Sequence, residues 1–242
     1  MTVLILGATS DIAIALARNF ASQGHQLQLA ARSTEALLPL KSDIEIRHQT
    51  LVEIVKFDVL DFDSHYDFYN KLKPKPDISV LVFGYLGDHA KALSYWSESK
   101  KILDTNYVGA VSVLNVIAND YEKRRTGMIV GISSVAGERG RMSNYLYGSA
   151  KAGLTAYLSG LRNRLFHAGV HVLTVKPGFV RTKMTEGLKL PAPVTTDPHV
   201  VATKIVKAIK RRKNNIYVLP IWSLIMMMIR YIPESIFKKM KL

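Results

Sequence analysis

Val3-Leu4-Ile5-Leu6-Gly7-Ala8-Thr9-Ser10-Asp11-Ile12-Ala13 is the stretch that decides the fold. Four consecutive apolar residues read as a strand covered on both faces, a glycine with small residues reads as a tight turn, and helical spacing begins at Ile12 and runs to Gln23. A strand that passes through a small-residue turn into a helix brings backbone N–H groups and a positive helix end to one point, which suits a diphosphate. Gly7 is placed for the turn, and Thr9 and Ser10 offer hydroxyl donors.

The same alternation continues outward. Strands are predicted at 26–31, 53–57, 79–83, 128–132, 171–175 and 216–219, and helices at 62–72, 101–122, 145–167 and 200–210, which with the first strand makes about seven strands. Several strands are apolar throughout, as in a parallel sheet with helices on both faces, so the fold class is α/β, an open doubly wound sheet. No repeat or linker interrupts it. Residues 1–215 read as one dinucleotide-binding and catalytic domain, and 216–242 as a last strand with an apolar, basic tail packed on or next to it.

In such sheets ligands bind beyond the carboxyl ends of the strands. The second strand ends in Ala31-Arg32 where an acid would hold a ribose 2'-hydroxyl, so Arg32 favours the 2'-phosphate of NADP(H), with NAD second. Asp58, after the third strand, either accepts from an adenine amino group or caps the next helix.

Tyr147 and Lys151 lie four residues apart and share one helix face. A neighbouring ammonium is expected to lower the phenol pKa, making Tyr147 a proton donor to a carbonyl oxygen. Tyr145 points to another side of the helix, and Ser133 alternates to the strand face opposite Ser134.

With Gly7, Asp58-Val59, Gly84, Asn106, Ser134 thirteen residues before Tyr147, Lys151 and Pro177-Gly178 in this order, the sequence resembles the short-chain dehydrogenase/reductases over almost its whole length. The resemblance implies a Rossmann-type fold and an NADP(H)-dependent carbonyl reductase or alcohol dehydrogenase. It assigns Ser134 to position the substrate oxygen, Tyr147 to protonate it, Lys151 to bind the nicotinamide ribose and Asn106 to hold a relay water. It also implies cofactor contacts at Gly7, Thr9, Ser10, Asp11, Ile12, Arg32, Asp58, Val59, Gly84, Tyr147, Lys151, Pro177, Gly178, Val180 and Thr182, no metal, and a homo-oligomer, dimer or tetramer.

Two departures stand out. Asp11 and Ala13 replace the second and third glycines of the family's turn, and Asp11 must point away from a diphosphate or cap the helix. Leu81-Val82-Phe83-Gly84 replaces the family's Asn-Asn-Ala-Gly. Gly7-Ala8-Thr9-Ser10-Asp11-Ile12-Ala13 and Gly84-Tyr85-Leu86-Gly87-Asp88 resemble the decaprenylphosphoryl-keto-pentose reductases, which implies a lipid-linked keto-sugar or another apolar carbonyl substrate.

The 242 residues carry 33 Lys and Arg against 19 Asp and Glu, a net charge of +14, and no cysteine. That excludes disulfide frameworks, thiolate metal sites and a cysteine nucleophile. The N-terminus carries no secretory signal pattern, so a cytoplasmic protein is expected. Residues 200–242 hold ten of the basic residues and one acid, Glu234. The apolar run Ile216 to Ile229 is shorter than the roughly 20 residues a span requires. Trp222, Leu224, Met226, Met228 and their neighbours with flanking cations predict an anionic membrane surface at the inner face, a lid over a greasy substrate, a dimer contact or a helix on the domain's own core. An idle NADP-sensing, membrane-binding or nucleic-acid-binding module is the alternative function. It predicts a damaged tetrad, whereas Asn106, Ser134, Tyr147 and Lys151 are all present, and no nucleic-acid partner is expected.

Overall fold

Val3 and Ile5 belong to one buried cluster and Leu4 and Leu6 to another. The run Val3 to Leu6 is therefore apolar throughout because helices cover both faces of the strand. The computed structural model describes residues 1–241. Its strands are β1 (Thr2–Leu6), β2 (Gln26–Ala31), β3 (Val52–Lys56), β4 (Ile78–Leu81), β5 (Met128–Ile132), β6 (His171–Lys176), β7 (Phe179–Val180), β8 (Thr195–Thr196) and β9 (Asn215–Tyr217). Seven of them form a parallel sheet in the order β3-β2-β1-β4-β5-β6-β9, and β7 pairs with β8 in a separate ribbon. The order reverses beside β1, which pairs with both β2 and β4.

The helices are α1 (Asp11–Ala21), α2 (Leu38–His48), α3 (Ser64–Lys71), α4 (His89–Ser94), α5 (Trp96–Leu103), α6 (Gly109–Arg124), α7 (Tyr145–Phe166), α8 (Pro198–Lys210), α9 (Ile221–Tyr231) and α10 (Glu234–Phe237). Helices α1, α2 and α8 cover one face of the sheet. Helices α3, α6 and α7 cover the other. The fold is the Rossmann-type arrangement the sequence predicts.

The differences are local and have physical causes. The fourth strand stops at Leu81 because the N–H groups of Val82 and Phe83 both turn to the carbonyl of Leu6, at 2.9 and 3.2 Å. The helix expected over 101–122 is broken into α5, a π turn at Asp104–Val108, and α6. Gly109 closes that turn by donating to the carbonyl of Asp104, and its bare Cα lies against Val59, where a Cβ would collide.

Of the readings the sequence leaves open for the tail, the inner side of its helix takes the one packed on the domain's own core. Pro220 ends the extended segment and caps α9. Trp222 is 4% exposed and Met226 is fully buried, both packed with Val135, so they are core residues rather than residues free to enter a bilayer. The Trp222 indole donates to the carbonyl of Val194 at 3.0 Å and lies on Gly178, where a Cβ would fall inside the ring. Arg139 then holds the far end of α9. Its guanidinium donates to the carbonyls of Ile229 and Ile232, each at 2.6 Å, pairs with Glu234 at 2.8 Å and lies 3.7 Å over the Phe237 ring. Neighbouring Glu138 pairs with Lys176 and with Arg230. No helix among the described residues is long and apolar enough to cross a membrane.

Candidate active site

The reversal of strand order opens a cleft of about 330 Å³ beyond β1 and β4. Gly7 turns the chain there with φ +86°, in the left-handed region that favours glycine. A Cβ on it would lie 2.6 Å from the Phe83 nitrogen, so the turn presses directly on the segment after β4. Thr9, Ser10, Asp11 and Ile12 follow along the cleft wall, with Arg32, Val59, Gly84 and Thr182 on its other sides.

Ser10 caps α1, its hydroxyl accepting from the Ala13 N–H at 3.2 Å. The earlier N–H groups of this helix have no intrahelical partner and are suited to a phosphate. The Asp11 carboxylate accepts from the backbone N–H of Lys183 at 2.7 Å, so it is engaged by the loop after β7. Arg32 is exposed at the end of β2 and belongs to no ion pair among the described residues. These residues fit a nicotinamide dinucleotide: a glycine turn, a helix start, a carboxylate already engaged, and an unpaired guanidinium at the ribose end. The Asp58 carboxylate accepts from the Leu60 N–H at 3.0 Å through one oxygen, and its neighbours Phe57, Val59 and Leu60 line the cleft.

At the inner end, Gly84 leaves room where Asn106 and Lys151 converge, a Cβ there lying 3.1 Å from Asn106 Oδ1 and 3.6 Å from Lys151 Nζ. Lys151 is buried in α7 and donates to the Ile132 carbonyl at 3.1 Å. Asn106 sits in the π turn with both amide hydrogens spent, on the carbonyls of Tyr85 at 2.6 Å and Ile102 at 2.8 Å, while Oδ1 accepts from the Tyr85 N–H at 3.2 Å. Its side chain braces the segment after β4.

Tyr147 stands in the first turn of α7, and Lys151 Nζ lies 5.7 Å from its ring centre. The expected fall in the phenol pKa is reversed: burial pushes it up to about 12, and the Ser134 hydroxyl works against that rise. Burial likewise draws the Lys151 ammonium down to about 8. Both shifts come from burial, because the charged form of each group loses water. The phenol is therefore fully protonated at neutral pH and available as a donor.

The two decoys separate. Tyr145 is 45% exposed and meets His89 edge to face, whereas Ser133 is buried against the Lys151 carbonyl at 2.9 Å and the Thr155 hydroxyl at 2.6 Å. Ser134 accepts from the Ala136 N–H at 3.0 Å. Of the residues expected at the nicotinamide end, Thr182 lines the cleft. The Pro177 carbonyl accepts from Val135, Gly178 receives Trp222, and Val180 is buried in the ribbon.

Sequence reasoning missed Phe83, Tyr85, Lys101, Lys183 and Met184 as cleft residues. Lys101 lies 4.3 Å over the Tyr85 ring, a pairing of residues far apart in sequence. Lys183 and Met184 follow Thr182, and that proximity was the one signal for them. No group of metal-ligating side chains forms a cluster among the described residues.

Residues 1–191 match the short chain dehydrogenase family, and the chain belongs to it. An uncharacterized oxidoreductase of Mycobacterium tuberculosis is 36% identical, covering 98% of this chain and 96% of its own. One from Streptomyces coelicolor is 33% identical, covering 99% and 95%. A short-chain dehydrogenase from Sphingobium yanoikuyae, solved in complex with NADPH, superposes with a TM-score of 0.84 at 22% identity, covering 97% of each chain. The protein is an oxidoreductase of the nicotinamide-dependent class that this family defines.

Proposed function

We propose that the protein is an NADPH-dependent carbonyl reductase acting on a substrate with an apolar portion. The observation that carries the reading is the convergence of Tyr147, Lys151, Ser134 and Asn106 around the inner end of a dinucleotide cleft with Arg32 at the other end. Bound NADPH supplies the hydride that the carbonyl carbon accepts. Ser134 donates a hydrogen bond to the carbonyl oxygen and orients it. The neutral Tyr147 phenol gives that oxygen its proton, so the ketone gains hydride and proton and leaves as a secondary alcohol. Lys151 reaches the ribose side and stabilises the phenolate left behind until solvent reprotonates it. Asn106 holds Tyr85 and Gly84 in place beside the reacting atoms. The Arg32 guanidinium favours the 2'-phosphate, which is the basis for preferring NADPH over NADH.

We also propose that α9 and the residues after it meet an anionic bilayer or the lipid part of a substrate. Ile221, Leu224, Met228 and Tyr231 recur at helical spacing on the exposed side of α9, and Lys238, Lys239 and Lys241 follow. Such a face inserts shallowly while the cations meet headgroups, without spanning. A lipid-linked keto-sugar is one substrate that joins both features. NADPH oxidation followed across keto-sugars, keto-lipids and steroids, with and without liposomes, tests the proposal. Turnover restricted to NADH, or to small polar ketones indifferent to lipid, overturns it.

A further inference from the structure

Among the described residues, four buried side-chain polar atoms lack a hydrogen-bond partner, and three of them belong to residues at the start of α7 or against it: His89 Nε2, Arg141 Nε and Asn144 Oδ1. The His89 ring stands edge-on to Tyr145 with centroids 4.8 Å apart, and Asn144 closes a turn onto the Arg141 carbonyl at 3.1 Å. Asn144 is also the residue that starts α7, three positions before Tyr147 and so about 4.5 Å from it along the helix axis. The cluster therefore lies between the loop after β4 and the catalytic helix.

Arg141 is the anomaly. It is partly buried and its Nε is enclosed without a partner, whereas a guanidinium held for structure finds a carboxylate or carbonyls, as Arg139 does two residues earlier. Burial alone acts on Arg141, and no carboxylate offsets it. The nearby acids are committed: Glu98 to the Tyr85 hydroxyl at 2.7 Å and the Asp88 N–H at 3.1 Å, Asp88 to the Lys91 N–H at 3.0 Å, and Glu138 to Lys176 and Arg230. A planar fork of donors, an imidazole and an amide oxygen that accepts from a hydroxyl together describe a receptor for a hydroxylated oxyanion.

We propose that Arg141, His89 and Asn144 recognise an oxyanionic group, a carboxylate or phosphate, carried by a hydroxylated ketone substrate whose carbonyl faces Tyr147. The inference rests on the reductase reading above and names the substrate class of that site.

The test uses protein saturated with NADP⁺, so that the phosphate sites at Arg32 and α1 are filled. The melting temperature is measured with dihydroxyacetone phosphate and 2-ketogluconate, beside their neutral counterparts dihydroxyacetone and fructose. The anionic members are expected to raise it in wild type, less in Arg141→Lys and not in Arg141→Met. Response to the phosphate alone or the carboxylate alone supports the site and names the anion. Without added anion, Arg141→Met is expected to melt at or above the wild-type temperature, since no structural partner is lost. In NADPH oxidation, the kcat/KM preference for anionic over neutral ketones is expected to fall roughly 10- to 100-fold in Arg141→Met. No anion-dependent shift in wild type, or a shift that survives Arg141→Met, overturns the inference while leaving the reductase reading standing. A shift with no NADPH oxidation on any ketone overturns the reductase reading and leaves the anion site.

Discussion

The carboxylate of Asp11, at the start of α1, accepts a hydrogen bond from the backbone N–H of Lys183, 172 residues away in the sequence. This ties the loop that carries Thr182 and Met184 across the mouth of the cleft. Asp11→Ala is expected to open that loop by about 1 kcal/mol, seen as roughly fivefold faster amide exchange at Lys183. Asp11→Asn is expected to retain most protection because its amide oxygen still accepts. Equal exchange in all three proteins would show that the tie contributes nothing.

Tyr147→Phe is expected to lower kcat by about 10² to 10⁴ with NADPH affinity nearly unchanged, since one proton-transfer atom is removed. Tyr145→Phe is expected to stay within a few fold, because that ring is exposed against His89. Steady-state kinetics on both variants decide the choice, and the reverse order of losses would move the donor to Tyr145.

Lys151 sets a pH dependence on stability. Its folded-state pKa of about 8 lies below the ordinary 10.5. The unfolded chain binds more protons across that interval, so wild-type stability rises as pH rises from 8 to 10.5, by up to about 3 kcal/mol. Tyr147 has the opposite sign at higher pH: raised to about 12 from 10, it withdraws stability between those values. Urea unfolding of wild type and Lys151→Met at pH 7.5 and 10.5 isolates the first effect. The difference between the two proteins is expected to move in favour of wild type at the higher pH, and a constant difference would contradict it.

NADPH is expected to bind more tightly than NADH, and Arg32→Ala to lose roughly 10- to 100-fold of that preference through its effect on NADPH. Dissociation constants for both dinucleotides measure it. Equal affinities in wild type would remove the basis for an NADPH enzyme.

The exposed side of α9 gives a separate prediction. Wild type is expected to sediment with phosphatidylserine liposomes, each nearby cation contributing about 1 kcal/mol, with weaker binding at high salt. Leu224→Asp with Met228→Asp is expected to abolish binding at unchanged melting temperature, whereas Trp222→Ala is expected to lower the melting temperature because Trp222 is core. A wild-type protein indifferent to liposomes at every salt level would overturn the attachment.

The fold was legible because strands covered on both faces read as largely apolar runs, which Val3-Leu4-Ile5-Leu6 shows most plainly. The pairing of Tyr147 with Lys151 was readable from their spacing on one helix, and Asn106 and Ser134 entered through the family resemblance. What stayed hidden depends on contacts between distant residues. Nothing near Asp11 indicates Lys183, and nothing near Trp222 distinguishes a residue seated on Gly178 from one meeting lipid. The π turn was invisible for the same reason: it depends on Gly109 passing close to Val59. The phenol pKa was misjudged because spacing reports the neighbouring charge and not the loss of water.

The grip of Arg139 and Glu138 on α9 has a consequence for the order in which the site is assembled. These two residues follow directly after the segment that carries Ser134, yet their partners Ile229, Arg230, Ile232 and Glu234 lie 90 to 95 residues further along the chain. The loop beside Ser134 gains these ties only once α9 is seated, so whatever unseats α9 loosens the support beneath the chemistry while leaving the sheet untouched.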